Sequence, residues 1–532
     1  MERGRKIDLF DSTLRDGAQG QGIHFSMEDK LNIVKALDRL GIDYIEGGIP
    51  GANPKDTEFF QKMKEVPLQH AKLVAFGSTR RRDLPVEEDK GCRSLLEAGT
   101  PAVTIFGKCW DLHVTDILRT TLEENLRMVG ETVAFFVNRG KEVIFDGEHF
   151  FDGWRANPDY AMEVLETAHQ AGADWLVLCD TNGGTFPREI GRITALVQER
   201  FPKAKIGIHT HNDTGCAVAG AIAAVEEGAS QVQGTYLGFG ERCGNCNLST
   251  IIGDLQLKLG YQCISPEQLR QLTRMASYVA EITNIALPGG LPYVGRSAFA
   301  HKGGMHVDGV YKNSVSFEHI DPSLVGNRRN ILLSEASGRS AIAHRISEID
   351  HTITRDSLET AAFIETLKEK EREGYEFESA GASLEILALK QLGRYQPAFQ
   401  LEYFKILGEQ PAVKVERSAM AIVKVRVGDR IEMTAAEGDG PVHALDVALR
   451  KALEVFYPQL HKMRLIDYKV RVMEGSAATA SKVRVLIESS DGESVWATVG
   501  MSADIIDASW QALRDSIEYK VLKDQAAAHP PA

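Results

Sequence analysis

Cysteine is scarce and poorly arranged for cross-linking: seven thiols in 532 residues, at Cys92, Cys109, Cys179, Cys216, Cys243, Cys246 and Cys263. An odd, scattered set fits reduced thiols and argues against a disulfide framework. Cys243-Gly-Asn-Cys246 has the CxxC spacing. A redox pair of that kind belongs at a helix start after the first strand of a small α/β domain, whereas this one falls deep in the chain among glycines. Long apolar runs are missing as well. No stretch approaches the ~18 to 20 uninterrupted apolar residues of a membrane span, and the basic opening Met1-Glu-Arg-Gly-Arg-Lys6 meets a strand-like segment with no signal-peptide core between them. No membrane partner and a cytoplasmic location are therefore expected. Nor is there a basic surplus. The net charge of −13 argues against a nucleic-acid partner, and the one short basic run, Arg80-Arg81-Arg82, reads as solvated surface.

What is present is an ordinary globular composition, 43% hydrophobic, 25% charged and 7% aromatic, in a chain long enough for two to four domains of ~150 residues. Eight short apolar runs recur with helical text between them: Ile7 to Phe10, Tyr44 to Ile49, Leu73 to Phe76, Val103 to Phe106, Val143 to Phe145, Trp175 to Cys179, Lys205 to Ile208 and Gln231 to Tyr236. Runs of this kind suit strands buried on both faces. The intervening Ser26 to Gly41 has helical spacing, a Ser N-cap and a Gly stop. This alternation predicts an α/β chain with a (β/α)₈ TIM barrel over 1–275; a doubly wound open sheet is the rival. Polar residues directly after nearly every run favour the barrel, which concentrates its site at the strands' C-terminal ends.

From 276 to 395 the text turns helical and polar, with glycine-rich loops at Gly289-Gly290 and His301-Lys-Gly-Gly304, and predicts small helical linker subdomains. Residues 396–524 return to strands, such as Ala421 to Val427 and Lys482 to Glu488. There Thr434, Ala444, Ala448, Leu449 and Arg450 fall on Thr498, Ala508, Ala512, Leu513 and Arg514 at one offset, which predicts a duplicated α+β domain. A disordered tail is expected over 525–532.

The strand ends carry the candidate chemistry. Arg15 and Asp16 follow the first run, either as a surface salt bridge or as an oxyanion stabiliser beside a metal ligand. Period two sends His209 and His211 to one side, where both imidazoles and Asp16 reach a single ion; mixed N and O donors suit a catalytic divalent cation with open positions. The loop Gly238 to Asn247 lets backbone approach a ligand, and Asn245 offers a neutral oxygen. Glu148 and Thr181 lie on the same face. Asp146, His149 and Asp152 read as supporting or loop-capping groups.

Together, Asp11-Ser-Thr-Leu-Arg-Asp-Gly17, His209-Thr-His-Asn-Asp213, Gly240-Glu-Arg-Cys-Gly-Asn245 and Phe299-Ala-His-Lys-Gly-Gly-Met-His306 resemble the acyl-CoA condensing enzymes that include 2-isopropylmalate, homocitrate and citramalate synthases. Tyr44-Ile-Glu-Gly-Gly-Ile-Pro50, Asn53-Pro-Lys-Asp56, Glu148 to Gly153 and Leu178 to Gly184 look most like the citramalate branch. The resemblance implies a divalent cation (Mn²⁺, Mg²⁺, Zn²⁺ or Co²⁺) on Asp16, His209, His211 and Asn245. It implies acetyl-CoA and pyruvate as substrates, with Arg15 at the keto oxygen and Thr181 at the carboxylate, and acid/base work for Glu148 and His306. In similar proteins the equivalent of His306 comes from the partner subunit, which implies a homodimer. The duplicated part resembles that family's allosteric domain, implying isoleucine or leucine as effector. Alternatives are 2-oxoisovalerate or 2-oxoglutarate as acceptor, and a non-catalytic amino-acid sensor. One departure stands out: Phe317 occupies the position of a usual tyrosine ahead of Glu318-His-Ile-Asp-Pro322. Either that hydroxyl is dispensable, or Tyr311 or water replaces it.

Overall fold

The computed structural model describes residues 4–332, 339–347, 352–354, 356–408, 419–473, 482–492 and 494–528. They form two compact units, 1–299 with 319–329, and 300–318 with 330–532.

The first unit is a closed barrel of eight parallel strands in chain order: β1 Asp8–Asp11, β2 Tyr44–Glu46, β3 Lys72–Ser78, β4 Ala102–Lys108, β5 Glu142–Glu148, β6 Trp175–Asp180, β7 Lys205–Thr210 and β8 Gln231–Gly234. β8 pairs with β1, so the sheet has no edge and the open-sheet alternative falls away. All six residues of β6 are buried, as a strand covered on both faces requires. The first helix, Met27–Leu40, begins with a Ser26–Asp29 capping box and stops at Gly41 in the left-handed region, φ 90°.

Inside the barrel Phe10, Tyr44, Val74, Ala102, Ile144, Trp175, Val177 and Cys179 form their own apolar cluster. Period two from these residues turns Glu46, Phe76, Phe106, Lys108, Asp146, Glu148 and Thr181 toward the barrel axis at the strands' C-terminal ends. The floor is sealed by Glu142, which accepts from Tyr44 Oη at 2.7 Å and Trp175 Nε1 at 3.3 Å and pairs with Lys72 at 2.5 Å.

Three sequence readings change. The helix Leu272–Ile282, divided above between barrel and linker, packs wholly into the barrel core through Leu272, Met275, Ala276 and Val279. Arg80 is not solvated surface: it is 5% exposed and pairs with Glu124 at 2.8 Å and Glu131 at 2.6 Å. The last helix runs Ile505–Ala528, through the first residues of the expected tail; 529–532 lie outside the described residues.

The second unit opens with β9 Ala300–His301, parallel to β10 Asn330–Ile331, and carries the helices Gly304–Lys312, Arg339–Ser347, Leu358–Glu373 and Gly381–Gln391. Two antiparallel three-stranded sheets follow. β11 Gln400–Gly408, β12 Ala419–Val427, β13 Arg430–Gly438 and the helix Pro441–Leu453 are matched by β14 Arg464–Val472, β15 Val483–Ser490, β16 Val495–Ser502 and the final helix. The match extends to side chains. Thr434 Oγ1 donates to Ala448 O and Thr498 Oγ1 to Ala512 O, each at 2.7 Å, and both first strands bulge at the same place, Leu401/Tyr403 and Leu465/Asp467.

Candidate metal centre and active site

The turn after β1 is set by Asp11, which accepts from Thr13 N at 2.8 Å and Thr13 Oγ1 at 2.9 Å; burial, offset by these bonds, lifts its carboxyl to about 7. Ser12 Oγ donates to Glu46 Oε2 at 2.5 Å and accepts from Asp16 N at 3.2 Å. These bonds turn Arg15 and Asp16 inward. Arg15 Nε donates to Glu46 at 2.6 Å and Nη1 to Asp16 Oδ2 at 2.8 Å, while its guanidinium lies 3.8 Å from the centroid of Phe76. Burial opposes ionisation of Asp16, yet Arg15 and the two imidazoles hold its carboxyl well below the usual range.

His209 and His211 face the same point from β7, their Nε2 atoms 3.4 Å apart and 3.8 and 3.9 Å from Asp16 Oδ2. Donor atoms of Asp16, His209 and His211 all lie within 4.8 Å of one another, and all three residues are buried. Burial and the facing His209 push His211 down to about 4, leaving a neutral imidazole at neutral pH. Asn245 arrives because its loop pairs back onto the end of β7: Asn212 N donates to Gly244 O at 2.8 Å and Cys246 N to Thr210 O at 2.9 Å. That closeness requires glycine at Gly240, φ 152°, where a Cβ would lie 2.2 Å from Asn245 Nδ2.

Asn245 Nδ2 donates to Asp16 Oδ1 and Phe239 O, each at 3.0 Å, and its Oδ1 is buried without a partner, as are His211 Nδ1 and Glu46 Oε1. Two imidazoles, a carboxylate held ionised and an unspent amide oxygen are a donor set that fits a divalent cation with open positions.

Glu148 ends β5 in an ion pair with Lys108 from the end of β4. Thr181 Oγ1 accepts from His149 N at 2.9 Å, so its own hydrogen is free to donate. His149 and Asp152 bond each other at 3.1 Å, and Asn182 Nδ2 joins Asp152 at 2.9 Å, a loop-tying set. Asp146 lies inside the barrel, its carboxyl pushed well up by burial and the nearby Glu46. His306 belongs to the second unit, exposed on Gly304–Lys312, with its ring 4.5 Å from that of Phe317; Tyr311 instead packs on His344 at 3.9 Å. Every cysteine is free, Cys243 exposed and Cys246 buried.

Sequence reading missed two residues. Glu46 anchors Arg15, and Gln233 bonds His209 Nδ1 at 3.0 Å. Period two from Tyr44 puts Glu46 inward at a strand end, a signal that was available; Gln233 has none without the register of β7 against β8.

The HMGL-like family profile matches residues 6–279, the homocitrate synthase post-HMGL domain-like profile 293–373, and the LeuA allosteric (dimerisation) domain profile 378–521. The chain is 54% identical over 520 residues to the (R)-citramalate synthase of Aquifex aeolicus, covering 98% of each, and 51% identical over 524 residues to that of Synechocystis sp., covering 96% of this chain and 95% of that one. Against the 2-isopropylmalate synthase of Cronobacter sakazakii identity falls to 31% over 519 residues, covering 96% and 94%. With the whole length accounted for in this way, the chain belongs to the (R)-citramalate synthase family, within the wider HMGL-like family.

Proposed function

We propose that the protein condenses acetyl-CoA with pyruvate and hydrolyses the thioester to (R)-citramalate and CoA, using a divalent cation on Asp16, His209, His211 and Asn245. The observation that carries this reading is the buried Asp16–His209–His211 cluster beside a guanidinium fixed by two carboxylates. It agrees with the full-length likeness to (R)-citramalate synthases. Such a cation supplies a Lewis acid and a template for the keto and carboxylate oxygens of a 2-oxo acid.

The chain's own groups divide the remaining work. With Nε and Nη1 committed, Arg15 directs Nη2 at the keto oxygen as negative charge grows there. The Thr181 hydroxyl donates to the acceptor's carboxylate. Glu148, oriented by Lys108, and His306 of the partner subunit in a homodimer share the proton transfers. A methyl proton leaves acetyl-CoA, that carbon bonds to the keto carbon, and the keto oxygen takes up a proton. Water then adds to the thioester and the C–S bond breaks, releasing the CoA thiol. Phe317 braces the His306 ring without contributing a hydroxyl.

Pyruvate is favoured because the mouth is narrowed by an aromatic pair. Phe76 and Phe106 stack with centroids 5.2 Å apart, and both are only half-buried although they face the barrel axis. A branched acceptor side chain meets these rings, and each extra methylene is worth ~1 to 3 kcal/mol of discrimination. The duplicated domain serves as the feedback site, for isoleucine ahead of leucine, in a cytoplasmic route from pyruvate to isoleucine.

Thiol release from acetyl-CoA, measured with pyruvate, 2-oxoisovalerate and 2-oxoglutarate in turn, tests the reading. Pyruvate should give the highest kcat/KM, EDTA should abolish turnover, and added Mn²⁺ or Mg²⁺ should restore it. Preference for 2-oxoisovalerate overturns the acceptor assignment, and failure of every divalent ion to restore turnover favours a non-catalytic sensor.

A further inference from the structure

Behind His209 runs a buried chain of amides and a carboxyl that joins three barrel strands. His209 Nδ1 lies 3.0 Å from Gln233 Oε1 on β8; Gln233 Nε2 lies 3.2 Å from Asp146 Oδ1 on β5 and 3.3 Å from Gln231 Oε1. His209, Gln233, Asp146 and Gln231 are all at most 4% exposed, so water cannot substitute for a lost partner. An amide has one end that accepts and one that donates. With two oxygens facing its nitrogen, Gln233 presents its own oxygen to the imidazole, and an oxygen there only accepts. His209 must then carry its proton on Nδ1, which leaves the Nε2 lone pair aimed at Asp16 and His211.

His211 differs. Its Nδ1 is buried and has no partner, so nothing comparable fixes its tautomer.

We infer that Gln233 is a positioning residue, held in orientation by Asp146 and Gln231, that locks His209 in the Nδ1–H tautomer and so prepares Nε2 as a metal ligand. The inference rests on the cation site proposed above. In physical terms, a reversed Gln233 amide would give up both of these bonds from its nitrogen, oppose its oxygen to that of Gln231, and donate to His209 Nδ1, moving the imidazole proton onto Nε2 and blocking ligation. Outer partners of ligating imidazoles typically change metal affinity by about 10- to 100-fold when removed.

The test titrates Mn²⁺ into the metal-free full-length chain by calorimetry and reads histidine ¹⁵N shifts before metal is added. Gln233→Met, close in volume but unable to accept, should weaken Mn²⁺ binding about 10- to 100-fold and shift His209 from the Nδ1–H tautomer to a mixture. Exchanging the two groups, Asp146→Asn with Gln233→Glu, keeps an acceptor against His209 and a donor behind it, and should restore affinity to within about threefold of wild type. The lock is overturned if Gln233→Met binds Mn²⁺ as wild type does, or if the exchanged pair is as weak as Gln233→Met with Tm unchanged. A wild type that binds no Mn²⁺ sinks the cation site itself; the ¹⁵N tautomer of His209, read without metal, still decides the lock separately.

Discussion

The two ends of the barrel carry similar polar inventories and use them in opposite ways. At the floor Glu142 takes bonds from Tyr44, Trp175 and Lys72, filling both its oxygens, while Lys72 and Lys205 lie 5.3 and 5.1 Å from the centroids of Tyr44 and Trp175. At the mouth Glu46 Oε1, His211 Nδ1 and Asn245 Oδ1 are buried with no partner. An unsatisfied buried polar atom costs about 1 to 3 kcal/mol, so the mouth carries a folding cost that Glu142 at the floor does not. Charge content does not separate a seal from a site; the state of satisfaction does.

Substitutions at the mouth should therefore remove function and spare the fold, and those at the floor the reverse. The largest effect belongs to Asp16→Ala and His209→Ala. Both should lose Mn²⁺ binding in calorimetry, with kcat falling about a thousandfold or more. Retained metal with lost turnover would contradict their role as ligands. Arg15→Ala comes next: it should keep bound metal while kcat falls about 100- to 1,000-fold, as for loss of an oxyanion donor. Full activity in that variant would remove Arg15 from the chemistry.

Trp175→Ala carries the comparison to the floor. Trp175 is 2% exposed, packed with Tyr44 in the inner cluster and bonded to Glu142. Its truncation should cost about 3 to 5 kcal/mol in urea unfolding, yet the folded fraction should bind Mn²⁺ as wild type does. If metal affinity fell in step with stability, the two ends would be one cooperative network and the distinction would fail.

Much of this division was legible in the sequence because it rests on local pattern. Runs buried on both faces marked the eight strands, and period two joined His209 to His211. What was not legible depends on contacts across the fold. Arg80 looked like one of three surface arginines because Glu124 and Glu131, which bury its charge, lie on another element. Gln233 became meaningful only once β8 lay beside β7. The extension of the last helix through Gln525 to Ala528 has a local cause in the sequence itself: three successive alanines favour helix over coil.

The smallest effect is a pH dependence confined to the floor. Burial would raise the Glu142 carboxyl, but Lys72, Tyr44 and Trp175 outweigh it and hold it below the ordinary value. A carboxyl whose folded value lies below its unfolded ~4.3 contributes stability that is complete above that unfolded value and is lost as pH falls through the folded one. Glu142→Gln keeps the shape and removes the charge, so wild type should exceed the variant by about 1 kcal/mol at pH 7. That gap, read from urea midpoints, should narrow as pH falls below about 4.3. A gap that stayed constant with pH would mean that shape and neutral hydrogen bonds alone seal the floor. The contrast with the mouth, where Arg15 and the imidazoles hold Asp16 ionised, would then lie in partner geometry rather than in charge.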